Sequence, residues 1–442
     1  MITARAFAGH HYAVYGLARS GIATVEALLA SGARVTAWDA KEEARGKGQS
    51  LNEGLSLADL DTADLAQFDS FVVTPGLPLN RHPIAQRARD AGVEIIGDIE
   101  LFARARPELP PHKVVGITGT NGKSTTTALV HHVLKTAGVP TTMGGNIGLP
   151  ILFQDPLPEG GVYVLELSSY QIDLTQSLDC DVAVLLNITP DHLDRYENFE
   201  AYAASKARLF AMQSDGHDSI VAIDDPHGRM LHGELLRSGQ RRAHSIAARD
   251  IRDLAIWASG ELSSQRDWPA LQGPHNAQNA AAALAVCGTL GLDDQAIDEG
   301  LRTYAGLPHR MERVREKNGI LFVNDSKATN PTATAPALAA FERIRWILGG
   351  QAKTDNLDEC APHFGHVRSA YTIGEAAELF ERLLSPHIPV KNCGKLDVAV
   401  REAAADAEGG DTVLLSPACA SFDQFRDFEG RGDQFRALVE GL

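Results

Sequence analysis

Residues Val114 to Thr126 read Val-Val-Gly-Ile-Thr-Gly-Thr-Asn-Gly-Lys-Ser-Thr-Thr, and few stretches leave a chain so little choice of fold. The apolar run predicts a buried strand, Gly119 to Gly122 predict a tight loop, and Lys123-Ser124-Thr125 open a helix. Glycines let such a loop curl with its N–H groups pointing inward, where they cradle phosphate oxygens. The helix N-terminus behind it adds partial positive charge. Lys123 reaches the terminal phosphates of a bound nucleotide, and Ser124 or Thr125 offers a hydroxyl to Mg²⁺. The strict phosphate-loop pattern has Gly where this chain has Ile117, with Gly116 and Gly119 on either side.

A strand that feeds a helix in this way belongs to an α/β sheet, and the same alternation runs through the chain. With 442 residues there is too much for one core, so several domains are expected. His11 to Tyr15 predicts a strand entering Gly16-Leu17-Ala18-Arg19-Ser20-Gly21. A helix pattern then runs to Leu29, and a second strand runs from Val35 to Asp39. This βαβ unit has a G-x-A-x-x-G turn, with Ala18 where a second glycine would allow close backbone approach. It suits either a nucleotide diphosphate or a plain βα turn. Phe71 to Val73 is another strand, ending in Thr74-Pro75-Gly76 at the carboxyl edge where ligands gather in such sheets. Three prolines between Arg104 and Pro111 predict a linker. Strands at Ile320–Val323, Trp346–Leu348, Ser369–Ile373 and Thr412–Leu415 open a third region after Gly306. The expected organisation is parallel α/β throughout, in three domains: 1–101, 102–306 and 307–442.

A formal charge of −16 disfavours nonspecific binding to nucleic acid or to anionic membranes. No apolar run approaches the ~18 residues of a membrane span, and no signal-peptide pattern opens the chain. The five cysteines are dispersed, which suits reduced thiols in a cytoplasmic enzyme.

Polar loops follow the predicted strands. Glu166 ends Val162-Tyr163-Val164-Leu165-Glu166, where nucleotide enzymes hold Mg²⁺. Asn187 and Thr189-Pro190-Asp191-His192-Leu193-Asp194 follow the next strand and suit a metal or catalytic loop. Lys206 lies on a helix, and its spacing alone does not separate it from an exposed lysine. Gly144-Gly145-Asn146 forms a second Gly-rich turn. Asn276 suits a helix cap, with Asn279 on the first turn of that helix. In the last region Arg310, the Asn324–Pro331 loop, Gly349–Lys353 and Leu415–Asp423 lie at strand ends. Lys327, Thr329, Lys353 and Ser421 can converge there on a small anionic ligand.

Taken together, Gly119-Thr120-Asn121-Gly122-Lys123-Ser124-Thr125, Glu166-Leu167-Ser168-Ser169, Asn187…Asp191-His192-Leu193-Asp194, His275-Asn276…Asn279, His309-Arg310 and Asp325-Ser326-Lys327 make a chain that resembles the Mur ligases. These are the ATP-dependent amide-forming enzymes of peptidoglycan precursor assembly. The Asp325–Asn330 and Ser416–Phe425 stretches are similar to those of the D-glutamate-adding branch. The resemblance implies an N-terminal Rossmann-like domain for a UDP-linked substrate, a central P-loop ATPase domain and a C-terminal Rossmann-like domain for the amino acid. It implies ATP and two Mg²⁺ ions, with UDP-N-acetylmuramoyl-L-alanine and D-glutamate as substrates; the expected state of the chain is a monomer.

By position, the resemblance makes Lys123 the phosphate lysine, with Ser124 and Glu166 at one Mg²⁺ and His192 at another. Lys206 matches a lysine that CO₂ carbamylates into an anionic metal ligand. Asn146 would contact the reacting phosphate and the sugar substrate. Asn276, Asn279, Arg310 and Asp325 would join residues 119–125 around ATP. Gly16, Leu17, Ala18, Arg19, Ser20, Gly21, Asp39, Thr74, Pro75 and Gly76 would bind UDP. Lys327, Thr329, Lys353, Ser421 and Phe422 would bind D-glutamate. Two alternatives stay open: a relative differing in its amino acid or acceptor, such as a folylpolyglutamate synthase, and a nucleotide-binding oxidoreductase resting on Gly16, Gly21 and Asp39. A nonenzymatic nucleotide switch is a weaker third.

Overall fold

The computed structural model describes every residue except 52–53, 192–193, 240–241, 249–255 and 259–260. By contacts the chain divides into two compact units. The first comprises Met1–Ser264 and Ala277–Leu301, the second Gln265–Asn276 and Arg302–Leu442.

The first unit holds two parallel sheets. One is built from β1 (His11–Tyr15), β2 (Arg34–Trp38), β3 (Leu55–Leu57), β4 (Ser70–Val73) and β5 (Glu94–Ile96), in the order β3-β2-β1-β4-β5. The strand order reverses between β1 and β4, which opens a crevice at their carboxyl ends. The loops after these strands are Gly16–Gly21 and Thr74–Gly76.

The second sheet comprises β6 (His112–Thr118), β7 (Thr141–Gly145), β8 (Gly161–Glu166), β9 (Val182–Leu185), β10 (Asp218–Ala222) and β11 (Arg242–Ile246), in the order β11-β10-β9-β6-β8-β7. Central β6 pairs in parallel with both β8 and β9, so the phosphate loop, Glu166 and Asn187 emerge at one edge. Val114, Val115, Ile117 and the apolar residues of β8 and β9 are buried. Strands covered on both faces by helices need such continuous apolar runs.

After a short hairpin of β12 (Ile256–Ala258) and β13 (Glu261–Ser263), the second unit carries the remaining sheet. Its strands are β14 (Glu312–Lys317), β15 (Ile320–Asn324), β16 (Ile344–Gly349), β17 (Val367–Ile373), β18 (Val390–Gly394) and β19 (Thr412–Leu415), ordered β14-β15-β19-β16-β17-β18. β15, β19 and β16 are parallel neighbours.

Two expectations need correction. The sheets are not parallel throughout, because β14 runs antiparallel to β15. The cause is the Asn318-Gly319 turn, with φ of 54° and 75°. Two left-handed residues in succession match the twist of a tight hairpin. The Pro-rich stretch is not a loose tether either. Leu101 lies within the helix Asp98–Ala105, and a 3₁₀ turn, Arg106–Glu108, follows directly. Ile99, Leu101, Phe102 and Ala105 of that helix are buried. Its Glu100 accepts the Gln176 and Ser177 N–H groups at 2.7 and 2.9 Å.

Candidate functional site

The phosphate loop is fastened from two sides. Asn187 accepts the Thr120 N–H at its backbone oxygen and the Asn121 N–H at Oδ1, both at 2.8 Å. Its Nδ2 donates back to the Asn121 carbonyl at 3.1 Å and to Gln278 at 2.8 Å. Thr120 Oγ1 donates to the Thr189 carbonyl at 3.1 Å. On the other side Asn279, buried on the helix Pro274–Thr289, accepts the Thr126 hydroxyl at 3.1 Å. Lys123 begins the helix Lys123–Thr136 and donates to the Gly119 and Thr120 carbonyls at 2.9 and 2.8 Å. Its ammonium is thereby held over its own loop, where a phosphate would lie. Ser124 and Thr125 follow on the first helical turn.

Glu166 ends β8 and is almost wholly buried. Oε1 accepts Asn146 Nδ2 at 3.0 Å, and the Asn146 backbone N–H reaches the Glu166 carbonyl at 2.9 Å. Oε2 is buried with no hydrogen-bond partner. A carboxylate oxygen kept dry and unpaired is costly unless a cation meets it, so this atom fits a divalent metal. Gly144 and Gly145 finish β7, and the turn starts only at Asn146.

Lys206, on the helix Phe199–Ala211, is also buried. Its amine donates to the Gly119 carbonyl at 2.9 Å and lies 4.6 Å from the centre of the Tyr202 ring. Burial, and after it the Lys123 charge, pushes the Lys206 pKa down to about 7. A lysine so placed is substantially neutral near pH 7, the state that attacks CO₂. His192 lies outside the described residues. Among those described, no cluster of three His, Cys, Asp or Glu side chains forms a ready-made metal cage.

In the first sheet, Gly16 packs against Thr74, whose Oγ1 lies 2.4 Å from where a Cβ on residue 16 would sit. Asp39 accepts the Leu17 N–H at 2.7 Å with one oxygen and the Lys41 N–H at 2.9 Å with the other. It therefore shapes the Gly16–Gly21 loop. Ala18 is the extended residue before the helix Arg19–Ala30. Arg19 reaches the Gly148 carbonyl at 3.0 Å, beside the Asn146 turn. Ser20 and Gly21 lie on that helix, and Pro75 and Gly76 follow Thr74 in the facing loop.

The second unit brings the three predicted polar loops together. The Gln351 and Ala420 backbones exchange hydrogen bonds at 2.9 and 3.0 Å, and the Gly349 N–H reaches the Pro417 carbonyl at 2.9 Å. Ser421 is buried, Thr329 half-buried, and Lys353 and Phe422 exposed. The Lys327 amine lies 3.8 Å from the Phe428 ring centre. Asp325 accepts the Ser416 hydroxyl at 2.8 Å and the Met311 N–H at 3.2 Å. Burial pushes its pKa up to about 7. Arg310 is half-buried between His309 and Met311, whose φ values are 62° and 48°. Non-glycine residues held there store strain, which clusters at functional sites. Asn276 does not cap its helix: that helix starts at Pro274, and Asn276 Nδ2 donates to the Gln272 carbonyl at 3.1 Å.

Sequence reasoning missed Arg431. Although buried, it donates to the Ser326 hydroxyl at 2.9 Å and to the carbonyls of Ser326 and Cys419 at 2.8 and 3.1 Å. Longer contacts of 3.4 Å reach Gly349 and Ala420. One guanidinium thus ties all three loops. The available signal was its register: Arg431 lies four and eight residues before buried Phe435 and Val439 on the helix Phe428–Glu440, so a charge sits on the apolar stripe.

Comparison with known proteins covers the whole chain. Residues 10–97 match the Mur ligase MurD-like N-terminal domain, 117–287 the Mur ligase middle domain, and 309–419 the Mur ligase glutamate ligase domain. The UDP-N-acetylmuramoylalanine–D-glutamate ligase of Novosphingobium aromaticivorans is 60% identical over 442 residues, spanning 100% of this chain and 97% of that protein. Its counterpart in Sphingopyxis alaskensis is 60% identical over 447 residues and covers 100% of both. The crystal structure of a UDP-N-acetylmuramate-alanine ligase from Thermotoga maritima is similar with a TM-score of 0.59 at 17% identity, covering 98% of this chain and 99% of that one. At that identity the likeness speaks for the fold alone.

Proposed function

The chain belongs to the Mur ligase family, and on that premise we propose that it is the ATP-dependent ligase that joins D-glutamate to UDP-N-acetylmuramoyl-L-alanine in peptidoglycan precursor synthesis. One observation carries the ATP-dependent step: a doubly fastened phosphate loop shares its sheet edge with Glu166, whose Oε2 is buried and unpartnered. The choice of D-glutamate rests on the full-length relatives of that name.

A carboxylate is a poor acylating agent. Transfer of the ATP γ-phosphoryl to the alanyl carboxylate gives an acyl phosphate and ADP. The D-glutamate amine then attacks the acyl carbon, a C–N bond forms, and phosphate leaves with the C–O bond pair. Lys123 exchanges its loop carbonyls for β- and γ-phosphate oxygens. Asn146 holds Glu166 by one oxygen and leaves the other free. Ser124, Glu166, His192 and Lys206 as its carbamate would hold two Mg²⁺ ions, which neutralise phosphate charge when bound. Residues 119–125 with Asn276, Asn279, Arg310 and Asp325 take the nucleotide. The Gly16–Gly21 and Thr74–Gly76 loops with Asp39 take UDP, and Asn146 meets the sugar substrate. Lys327, Thr329, Lys353, Ser421 and Phe422 take D-glutamate, whose carboxylates suit the two lysines.

The division 1–101, 102–306 and 307–442 is proposed as three functional modules, each built on one large sheet. We assign the enzyme to the cytoplasm as a monomer. Among the described residues no helix is long and apolar enough to cross a membrane.

The test is phosphate release with UDP-N-acetylmuramoyl-L-alanine and Mg-ATP across a panel of amino acids. Release that depends on D-glutamate supports the reading. Release that depends on L-alanine, diaminopimelate or L-glutamate moves the chain elsewhere in the family.

A further inference from the structure

We propose that Arg195 is a positioning residue that couples binding at the Thr74–Gly76 loop to the Glu166 and Lys206 side of the site. The inference rests on the functional reading above. No part of that reading used Arg195, yet its guanidinium joins two loops that otherwise belong to different sheets. It donates to the carbonyl of Leu77 at 2.9 Å, with longer contacts to Gly76 at 3.3 Å and Pro75 at 3.4 Å. The same group sits over the Tyr170 ring, 4.2 Å from its centre. The neighbouring peptide is gripped from the opposite direction, because Asn80 and Arg81 donate to the Asp194 carbonyl at 3.0 and 2.9 Å.

From there a chain of ring contacts and hydrogen bonds leads towards the site. Tyr170 begins just past the Ser168 cap of the short helix Ser169–Asp173, four residues after Glu166. Its ring stacks with that of Tyr196, centroids 6.2 Å apart and planes within 17°. The Tyr196 hydroxyl donates to Asp173 at 2.8 Å, and Ser205 Oγ donates to the other Asp173 oxygen at 2.7 Å. Ser205 directly precedes Lys206. A ligand that fixes the Thr74–Gly76 loop therefore fixes the acceptors of Arg195, and Arg195 fixes an aromatic pair that starts four residues after Glu166. The Tyr196 ring of that pair meets, at 5.4 Å between centroids, the Tyr202 ring that the Lys206 amine faces at 4.6 Å. Only a planar, forked cation can meet several carbonyls while stacking on a ring, which a lysine ammonium cannot do.

Binding linkage makes the idea quantitative. If the two regions are coupled, Mg²⁺ with a nonhydrolysable ATP analogue tightens UDP-N-acetylmuramoyl-L-alanine binding, and the UDP substrate tightens analogue binding by the same factor. Calorimetric titrations on the full chain read that factor, in wild type, Arg195→Met, Arg195→Lys and Tyr170→Leu. The expected wild-type factor is roughly 5- to 10-fold. Both Arg195 variants should bring it to about one-fold, with each separate affinity changed by less than about two-fold and the melting temperature preserved. Tyr170→Leu, which removes the stack and keeps the arginine, should also lower the factor and guards against an Arg195 variant that folds poorly. A wild-type factor of one, or an unchanged factor in the variants, overturns the inference. Failure of wild type to bind the UDP substrate at all overturns the functional reading instead.

Discussion

Asn279 Oδ1 lies 2.3 Å from the point that a Cβ on Gly122 would occupy. Gly122 has a φ of 84°, a left-handed backbone that costs any other residue about 1–2 kcal/mol. Space and conformation therefore both demand glycine there. Gly122→Ala should push Asn279 away and open the loop, lowering ADP affinity by roughly 10- to 100-fold, or about 1.4–2.8 kcal/mol. Equilibrium ADP binding measures it. Adding Asn279→Ala restores the space but relieves no φ and removes the partner of Thr126 that fastens the loop, so the double variant should bind ADP no better than Gly122→Ala alone.

Lys206 supplies the second prediction. A buried amine brought to about 7 is in the state that reacts with CO₂, and its carbamate would be the anionic ligand that the family resemblance implies. Lys206→Ala should lose at least about 100-fold in turnover, as removal of a metal ligand does. Small carboxylic acids such as acetate or formate should restore a measurable part by filling the space with oxygens. Turnover of that variant at the wild-type rate would remove Lys206 from the mechanism.

Arg431 gives the third. Its pKa is pushed down to about 10, chiefly by burial, so it remains a cation at neutral pH and its carbonyl partners stay satisfied. Arg431→Met keeps the bulk and strands buried carbonyls of three loops, each costing about 1–3 kcal/mol when left unpaired. The D-glutamate KM should rise about ten-fold or more, while the ATP KM changes far less. Arg431→Lys should fall between, having one charge and no fork. Steady-state kinetics with each substrate varied separately checks the split.

How much of this was legible beforehand depended on whether a signal was local. The phosphate loop, the strand ending in Glu166 and the three polar loops of the last sheet were readable because apolar runs and turn residues lie next to one another in sequence. Arg431 and Arg195 were not, since their partners are mostly backbone carbonyls far along the chain, and a carbonyl has no side-chain identity to read. Lys206 was assignable only by resemblance: helical spacing says nothing of a desolvation that only tertiary packing creates. The antiparallel β14 was missed for a different reason. Asn318-Gly319 is a strong hairpin signal, but β14 itself, Glu-Arg-Val-Arg-Glu-Lys, lacks the apolar run by which the other strands were found.

Asp98 carries the last prediction, and there two effects oppose each other. It opens the helix Asp98–Ala105, where the N-terminal partial charge favours a carboxylate, and its Oδ1 accepts the Ile99 N–H at 3.1 Å. Burial works the other way and wins, raising the pKa from 3.8 to about 6. Between those values the unfolded chain gives up its proton first, so the folded state binds more protons and stability falls as pH rises through the window. Above it the deficit is constant, about 3 kcal/mol at one pK unit per 1.36 kcal/mol. Asp98→Asn keeps the acceptor for Ile99 and cannot ionise. In urea titrations it should exceed wild type by roughly 2–3 kcal/mol at pH 8, with the advantage shrinking towards zero at pH 4. A variant less stable than wild type at pH 8 would mean that the helix end outweighs desolvation and that Asp98 is held as an anion.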